Sequence, residues 1–524
     1  MTARVAVLGG QTVAQRSAVP GRTMIRMTAV GARDDTPLWL FADQLGSHFH
    51  GGEHAQRPVL LVESSLALRR RRYHRQKLHL VLSGLRHAAA DLGERATLLR
   101  TTGYAEALED YGRPVAVYEP TSLPADRFVR RLRERGMVTE VLPTPAFALS
   151  RSDFGRWAAD RRRFRLEDFY REQRRRFSIL MDGDEPAGGR WNFDTDNRES
   201  PPKGAPVLDV EPPWWPEEDD IDAAVRRDLD AADFDTVGSD GPRLFAVTPQ
   251  EATAALTQFV AHRLPLFGRF EDAMMNQDWA MAHSLLSVPM NLGVLHPLDA
   301  TAAAEAAYRG GAAPLAAVEG FIRQILGWRE YIWQLYWHFG PDYVDSNSLD
   351  AHTPLPDWWS SLDAGAVTAE CLSVAMAGVR DRGWAHHIQR LMILGSHALQ
   401  RGYDPRALNE WFTSAFVDGF AWVMPANVIG MSQHADGGRV ATKPYTSGGA
   451  YINKMSDHCR SCRFDPKKRL GDDACPFTAG YWQFVHRHSE LLASNMRTAR
   501  AVSSMRRLAD LDAVLEQESR REDF

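Results

Sequence analysis

The chain has 524 residues, of which 44% are apolar and 25% charged, with 62 basic side chains against 67 acidic ones for a net charge of −5. That composition can bury a sizeable core, which excludes global disorder, and the length predicts two or more domains. No stretch reaches the apolar length of a membrane span, and residues 1–36 break their short apolar patches with Arg4, Arg16, Arg22 and Arg26, which excludes a secretory signal. The expectation is a cytoplasmic monomer with no membrane contact, its thiols reduced.

Residues 1–36 read as a disordered extension. From Leu38 short apolar strands alternate with an amphipathic helix: LWLFAD, PVLLVES, a helix over HRQKLHLVLSGLRHAAADL, then ATLLRTT and RPVAVYEP. Strand, helix, strand at this spacing predicts a parallel, Rossmann-like α/β sheet over 37–165. No G-x-G-x-x-G follows the first strand, so a dinucleotide fingerprint is absent. Between Arg151 and Phe177 ten arginines meet five acids, interleaved with Phe154, Trp157, Phe164, Phe169 and Tyr170. Such a stretch is either a phosphate-contacting helix with stacking partners or a solvated helical face. The paired glycines of GGRWNFD (Gly188 to Asp194) predict a close backbone approach. The acidic, proline-bearing segment from Pro201 to Arg243 predicts a surface crossing, which places an interdomain region over 166–245.

Beyond Val247 apolar residues recur at three- and four-residue intervals, predicting a large all-α domain over 246–524. Inside it stand Cys371, Cys459, Cys462 and Cys475, the chain's four cysteines. A C-x-x-C turn, a third cysteine shortly after it and one distant upstream partner make a four-thiolate site, for an iron–sulfur cluster or structural zinc. Arg460, Arg463, Lys467, Lys468 and Arg469 would offset its negative charge.

His283-Ser284-Leu285-Leu286-Ser287, Trp328-Arg329-Glu330-Tyr331, the run from His386 to Met392, Lys443-Pro444-Tyr445 and the cysteine spacing together resemble the bacterial photolyase–cryptochrome group that carries an iron–sulfur cluster. The resemblance runs from about Leu38 to the end. It implies an α/β antenna domain, a long crossing and an all-α FAD-binding domain with a 4Fe-4S site. It further implies light-driven repair of (6-4) photoproducts in UV-damaged DNA, or, as the alternative, cryptochrome-type blue-light signalling. A third reading, from the cluster alone, is a primase-like module for undamaged nucleic acid.

On that resemblance Ser284 and Ser287, three apart at a helix start, would hold a pyrophosphate beside His283, Leu285 and Leu286. Gln324, Trp328, Arg329 and Tyr331 would line the flavin and lesion pocket, Arg390 would pair with Asp418 beside the flavin, and Asn427 would face flavin N5. Adjacent helical residues point in different directions. His387 is therefore taken as the proton donor and His386 as its orienting neighbour. Tyr445 and Tyr451 would flank the flipped lesion. Trp411 and Trp359, with Trp422, would carry electrons from the surface, although Phe412 stands where relatives carry Tyr. Asp43, Gln44 and Glu63 would begin a 6,7-dimethyl-8-ribityllumazine antenna site, with Ala67 where relatives carry an acid.

Overall fold

Apolar runs too short for helices become five parallel strands: β1 Leu38–Leu40, β2 Val59–Ser64, β3 Ala96–Thr101, β4 Val115–Tyr118 and β5 Val138–Leu142. Their order is β3-β2-β1-β4-β5, with Leu38 registered against both Val59 and Ala116. The computed structural model describes residues 35–524; the expectation for the extension lies, up to residue 34, outside the described residues. β1, β2 and β4 are buried throughout, as strands covered on both faces must be. β5 escaped the sequence reading because it is an edge strand whose Thr139 and Glu140 face solvent. Strand order reverses between β1 and β4, where such sheets open a crevice at their carboxyl ends.

The helix Arg75–Leu92 is capped by His74, whose Nδ1 accepts from the Gln76 amide at 3.1 Å, and it stops at Gly93 with φ +56°. Against it packs a helix that the sequence reading had treated as surface crossing. Asp219 caps Asp220–Ala231, whose Val225 and Leu229 bury against Leu78 and Leu82. The acid-rich composition concealed this i, i+4 apolar pair. Beside it Asp222, fully buried, accepts from the Ser83 hydroxyl at 2.6 Å and pairs with Arg243 at 3.1 Å.

The basic–aromatic stretch forms helices Arg151–Ala158 and Leu166–Phe177. Its aromatic side chains do not wait for bases. Phe154, Trp157 and Phe169 pack in one buried cluster with Leu149, Tyr331 and Leu335, and buried Arg174 donates to the carbonyls of Ile179, Leu180 and Trp191. Arg162, Arg163, Arg165, Arg171 and Arg175 remain exposed. Gly188 makes the expected close approach: its φ is +69°, and a Cβ there would lie 2.5 Å from Leu315 Cδ2.

The rest is helical, as expected. Four turns widen to π geometry, at Phe259–Arg263, Arg323–Arg329, Gln389–Gly395 and Ala426–Ser432. Such turns interrupt regular packing and recur at functional sites. Three of the four carry candidate residues. Residues Thr36–Phe524 form one compact unit, and its largest apolar core joins sheet residues such as Leu38 and Phe49 to helical ones such as Phe259 and Trp333.

Candidate functional site

Asp418, only 4% exposed, is a hub. Arg390 grips its carboxylate with both terminal nitrogens, at 2.9 and 3.1 Å, as the sequence reading expected. The Ser287 hydroxyl donates to Oδ2 at 2.7 Å, and Asn291 Nδ2 donates to the Asp418 carbonyl at 3.1 Å. The Arg390 guanidinium also lies 4.3 Å from the centre of the Phe416 ring. A buried carboxylate with this many donors is held in one orientation.

Ser284 and Ser287 do not act as one pair. Ser287 begins the short helix Ser287–Asn291, whereas Ser284 Oγ accepts only from the Leu286 amide at 3.4 Å. Leu285, at φ +57°, turns the chain between them, and Leu286 is fully buried in the main core. Asn427 reaches Trp328: its Oδ1 accepts from the indole nitrogen at 2.9 Å, and its Nδ2 donates to the Val423 carbonyl at 2.7 Å. One amide hydrogen is left over for a ligand. Gln324 is exposed. Arg329 is spent on the carbonyls of Ala146 and Met290, and Tyr331 is buried with Phe169, so neither faces the Asp418 hub.

Three imidazoles converge beside this hub. His283 and His386 stack at 4.6 Å and 20°, and His387 meets His283 edge-on at 5.6 Å. Burial pushes the first two well below the ordinary histidine value, so they are neutral. His283 Nε2 and both ring nitrogens of His386 are buried without a hydrogen-bond partner, a costly arrangement that a bound polar group would relieve. His387 is 46% exposed, and its Nε2 lies 3.5 Å from Asp272, a partner that the sequence reading missed.

Tyr445 and Tyr451 are half-buried at the same rim. Burial, then the Asp272 carboxylate, pushes the Tyr451 phenol up to about 12, while Arg198 opposes the shift. Burial, then Asp194, raises Tyr445, with Arg497 and Arg198 opposing, and the Lys443 ammonium lies 5.7 Å from its ring centre. Trp359 and Trp411 are neighbours with ring centres 5.2 Å apart, and Trp411 Nε1 donates to the Trp359 carbonyl. Trp422 stands apart from them, against Phe147 and Arg329.

The four cysteines share one small cavity with Ile452, His458, Phe464 and Phe477. All four are free thiols. Burial, then the neighbouring sulfurs, pushes the Cys371 and Cys459 thiols up, so their thiolates would form there only beside a compensating cation. The cavity wall leaves no slack: a Cβ on Gly449 would lie 2.8 Å from Cys475 Sγ. The cage is also tied to the imidazole region. Met274 donates its amide to the Met455 carbonyl, and Asn276 bonds Asp457, His458 and Glu370, all within a few residues of Asp272.

At the sheet's reversal point Asp43, after β1, accepts from the Thr121 hydroxyl, after β4, and burial raises its carboxyl. Gln44 Oε1 accepts from the Phe41 amide at 3.1 Å, while its Nε2 is buried and unpartnered. Glu63 is not free to join them. Arg86 holds both its oxygens, at 2.7 and 3.0 Å, and Arg100 adds a contact at 3.4 Å.

A family model described as deoxyribodipyrimidine photo-lyase-related protein matches residues 38–245. A (6-4) photolyase of Agrobacterium fabrum is 40% identical over 453 residues, covering 84% of this chain and 88% of its own. Among solved structures, a class III photolyase from Agrobacterium tumefaciens superposes with a TM-score of 0.57 at 18% identity, over 91% of this chain and all of that one. An archaeal photolyase from Sulfolobus tokodaii follows at 0.53 and 13%, over 87% of this chain and 99% of its own. An Asp418 hub, an imidazole cluster and a four-cysteine cage thus sit in a chain that belongs to the photolyase family, in its deoxyribodipyrimidine photo-lyase-related branch.

Proposed function

We propose that this protein repairs (6-4) photoproducts in UV-damaged DNA with blue light, using FAD held among the helices of residues 246–524. The observation that carries the reading is the pair of buried, unpartnered imidazoles, His283 and His386, between the Arg390–Asp418 pair and a solvent-facing His387, in a chain 40% identical to a (6-4) photolyase. The donor set suits a flavin: the Asp418 carboxyl held by Arg390, the Arg390 guanidinium, one free Asn427 amide hydrogen and neutral imidazoles. When bound and reduced, FAD supplies the electron that the lesion receives under light.

The chain's own residues do the rest. Half-exposed Tyr445 and Tyr451 receive the base rotated out of the duplex, at a cost of a few kcal/mol that a poorly stacked lesion lowers. His387, beside Asp272 and open to solvent, delivers a proton to the adduct, and His386 fixes its position while staying neutral. The exposed arginines of the segment from Arg162 to Arg175 contact phosphates. Trp359 and Trp411 relay the reducing electron.

Residues 37–165 are assigned to a lumazine antenna, with Asp43 and the unpartnered Gln44 amide at the sheet's crevice in its support, and residues 166–245 to the crossing. The cysteine cage is assigned a 4Fe-4S cluster. A single zinc ion holds four sulfurs about 4 Å apart. The triads of ligand atoms within 4.8 Å of one another, among the described residues, include no cysteine, and this wider spacing favours the cluster.

The test is a duplex bearing one (6-4) photoproduct, incubated anaerobically with purified, photoreduced protein. Restored thymines after blue light and none in the dark are expected. A flavin that reduces normally while the lesion stays intact would instead assign the protein to blue-light reception.

A further inference from the structure

Trp359 and Trp411 are both buried, so that pair does not itself reach solvent. A second run of indoles does. The helix Glu370–Arg382 stops at Gly383, whose φ is +59° and where a Cβ would lie 2.7 Å from Val417 Cγ1, leaving no room for a side chain. That turn sets Trp384 beside the hub, its ring centre 6.3 Å from that of His283 and 5.8 Å from the Arg390 guanidinium. Trp384 meets Trp279 edge-on at 5.3 Å, and Trp279 meets Trp215 at 5.7 Å. Trp215 is 39% exposed. It stands just before Pro216 in the proline-bearing crossing, and that segment is pinned beneath it. Asp278, next to Trp279, accepts from the Leu208 amide at 3.0 Å, Arg263 Nη1 donates to the Glu211 carbonyl at 3.2 Å, and Gln258 donates to the Pro212 carbonyl.

We propose that Trp384, Trp279 and Trp215 form a second electron path, which carries electrons from a small neutral thiol in solution to the flavin at the Asp418 hub. The inference rests on the flavin reading above. Paired aromatic rings are common in cores; an unbroken run from an exposed ring to the hub is what a path requires. Under light the Trp384 indole gives one electron to the cofactor, Trp279 refills Trp384, and Trp215 refills Trp279. The positive charge thus moves outward. Coulomb repulsion drives it the same way: the Arg382 guanidinium lies 4.8 Å from the Trp279 ring centre and Arg390 flanks Trp384, whereas Trp215 meets solvent with the exposed Glu217 two residues on. At Trp215 a thiol closes the cycle. Its sulfur gives up one electron, its proton passes to water, and a thiyl radical leaves.

The test uses the full-length, flavin-loaded protein without DNA, so its outcome does not depend on lesion repair. Dithiothreitol is the probe, and bleaching of the flavin band under blue light is followed in Trp359→Phe alone and with Trp384→Phe or Trp215→Phe added. The rate that remains in Trp359→Phe is expected to fall severalfold with either addition, because the two paths run in parallel. A second readout is the EPR spectrum of Trp359→Phe frozen under illumination without thiol. A tryptophanyl signal that narrows on labelling with ring-deuterated tryptophan is expected, and it should be lost when Trp215→Phe is added, because a charge stopped at Trp279 returns inward. Should Trp384→Phe bind flavin poorly, Trp215→Phe, at the surface, carries the comparison. Photoreduction unchanged by both additions, or a tryptophanyl signal that persists unaltered with Trp215→Phe, overturns the path and leaves the flavin reading standing.

Discussion

His387 and Glu271 both neighbour Asp272, His387 across the fold and Glu271 along the chain, yet they face opposite electrostatic problems. Half-exposed His387 has a carboxylate within 3.5 Å and a route to bulk protons. His387→Asn is therefore expected to slow lesion turnover by about 100-fold or more, the usual scale for a lost general acid, with flavin content unchanged in the absorption spectrum. Asp272→Asn should give a smaller loss, since it leaves the donor in place. Glu271 is 4% exposed, and burial raises its carboxyl to about 8 from an ordinary 4.5. Between those values the folded chain holds a proton that the unfolded chain has released, so Glu271 makes stability fall as pH rises from about 4.5 to 8. Glu271→Gln removes that loss. Its melting temperatures at pH 5 and pH 8.5 should lie closer together than those of the parent, and an unchanged gap would show that the carboxyl is ionised.

The cysteine loop and the segment 272–276 behave as one element, because Met274 and Asn276 carry bonds to Met455, Asp457 and His458. Cys459→Ala should lose iron and soluble yield together, measured by metal analysis of the soluble fraction, and a soluble, iron-free variant would mean that the cage is dispensable for folding. The tryptophan pair makes a parallel case: Trp359→Phe is expected to slow flavin photoreduction severalfold in a bleaching assay while leaving the flavin bound. These elements differ in how far the sequence disclosed them. The four cysteines were legible because their chemistry resides in side-chain identity and spacing, and β1, β2 and β4 because a strand buried on both faces is apolar throughout. The edge strand β5 and the helix Asp220–Ala231 were missed, since each presents mostly polar residues to solvent and hides only a few apolar ones. The π turns around Trp328, Arg390 and Asn427 leave no periodic signal at all, and Tyr331, in the α-helix that follows the first of them, packs with Phe169. Asp272 was invisible for another reason: its partner His387 is brought to it only by the fold.

At the scale of the whole molecule, the sheet-bearing part and the helical part meet where the chemistry is held. The first turn of helix Arg75–Leu92 docks on the helical part: the His74 amide donates to the Ser414 carbonyl at 3.0 Å, and Gln76 Nε2 donates to the Asp381 carbonyl at 2.6 Å. Lys77 goes deepest. Its ammonium is buried between the Tyr73 and Phe420 rings and donates to the carbonyls of Thr413 and Gly419, on either side of Asp418. Burial lowers its value to about 7, against the pull of Asp418. Between about 7 and 10.5 the unfolded chain therefore binds the extra proton, so Lys77 makes stability rise with pH over that window. Lys77→Met keeps the aliphatic volume but strands two buried carbonyls, each worth about 1–3 kcal/mol when unsatisfied. The expected result is a lower melting temperature, a weaker dependence on pH between 7 and 10, and a reduced ratio of flavin to protein absorbance after gel filtration, because the loop that carries Asp418 is no longer pinned. Full flavin retention together with unaltered stability in Lys77→Met would mean that the sheet-bearing part does not brace the Asp418 hub.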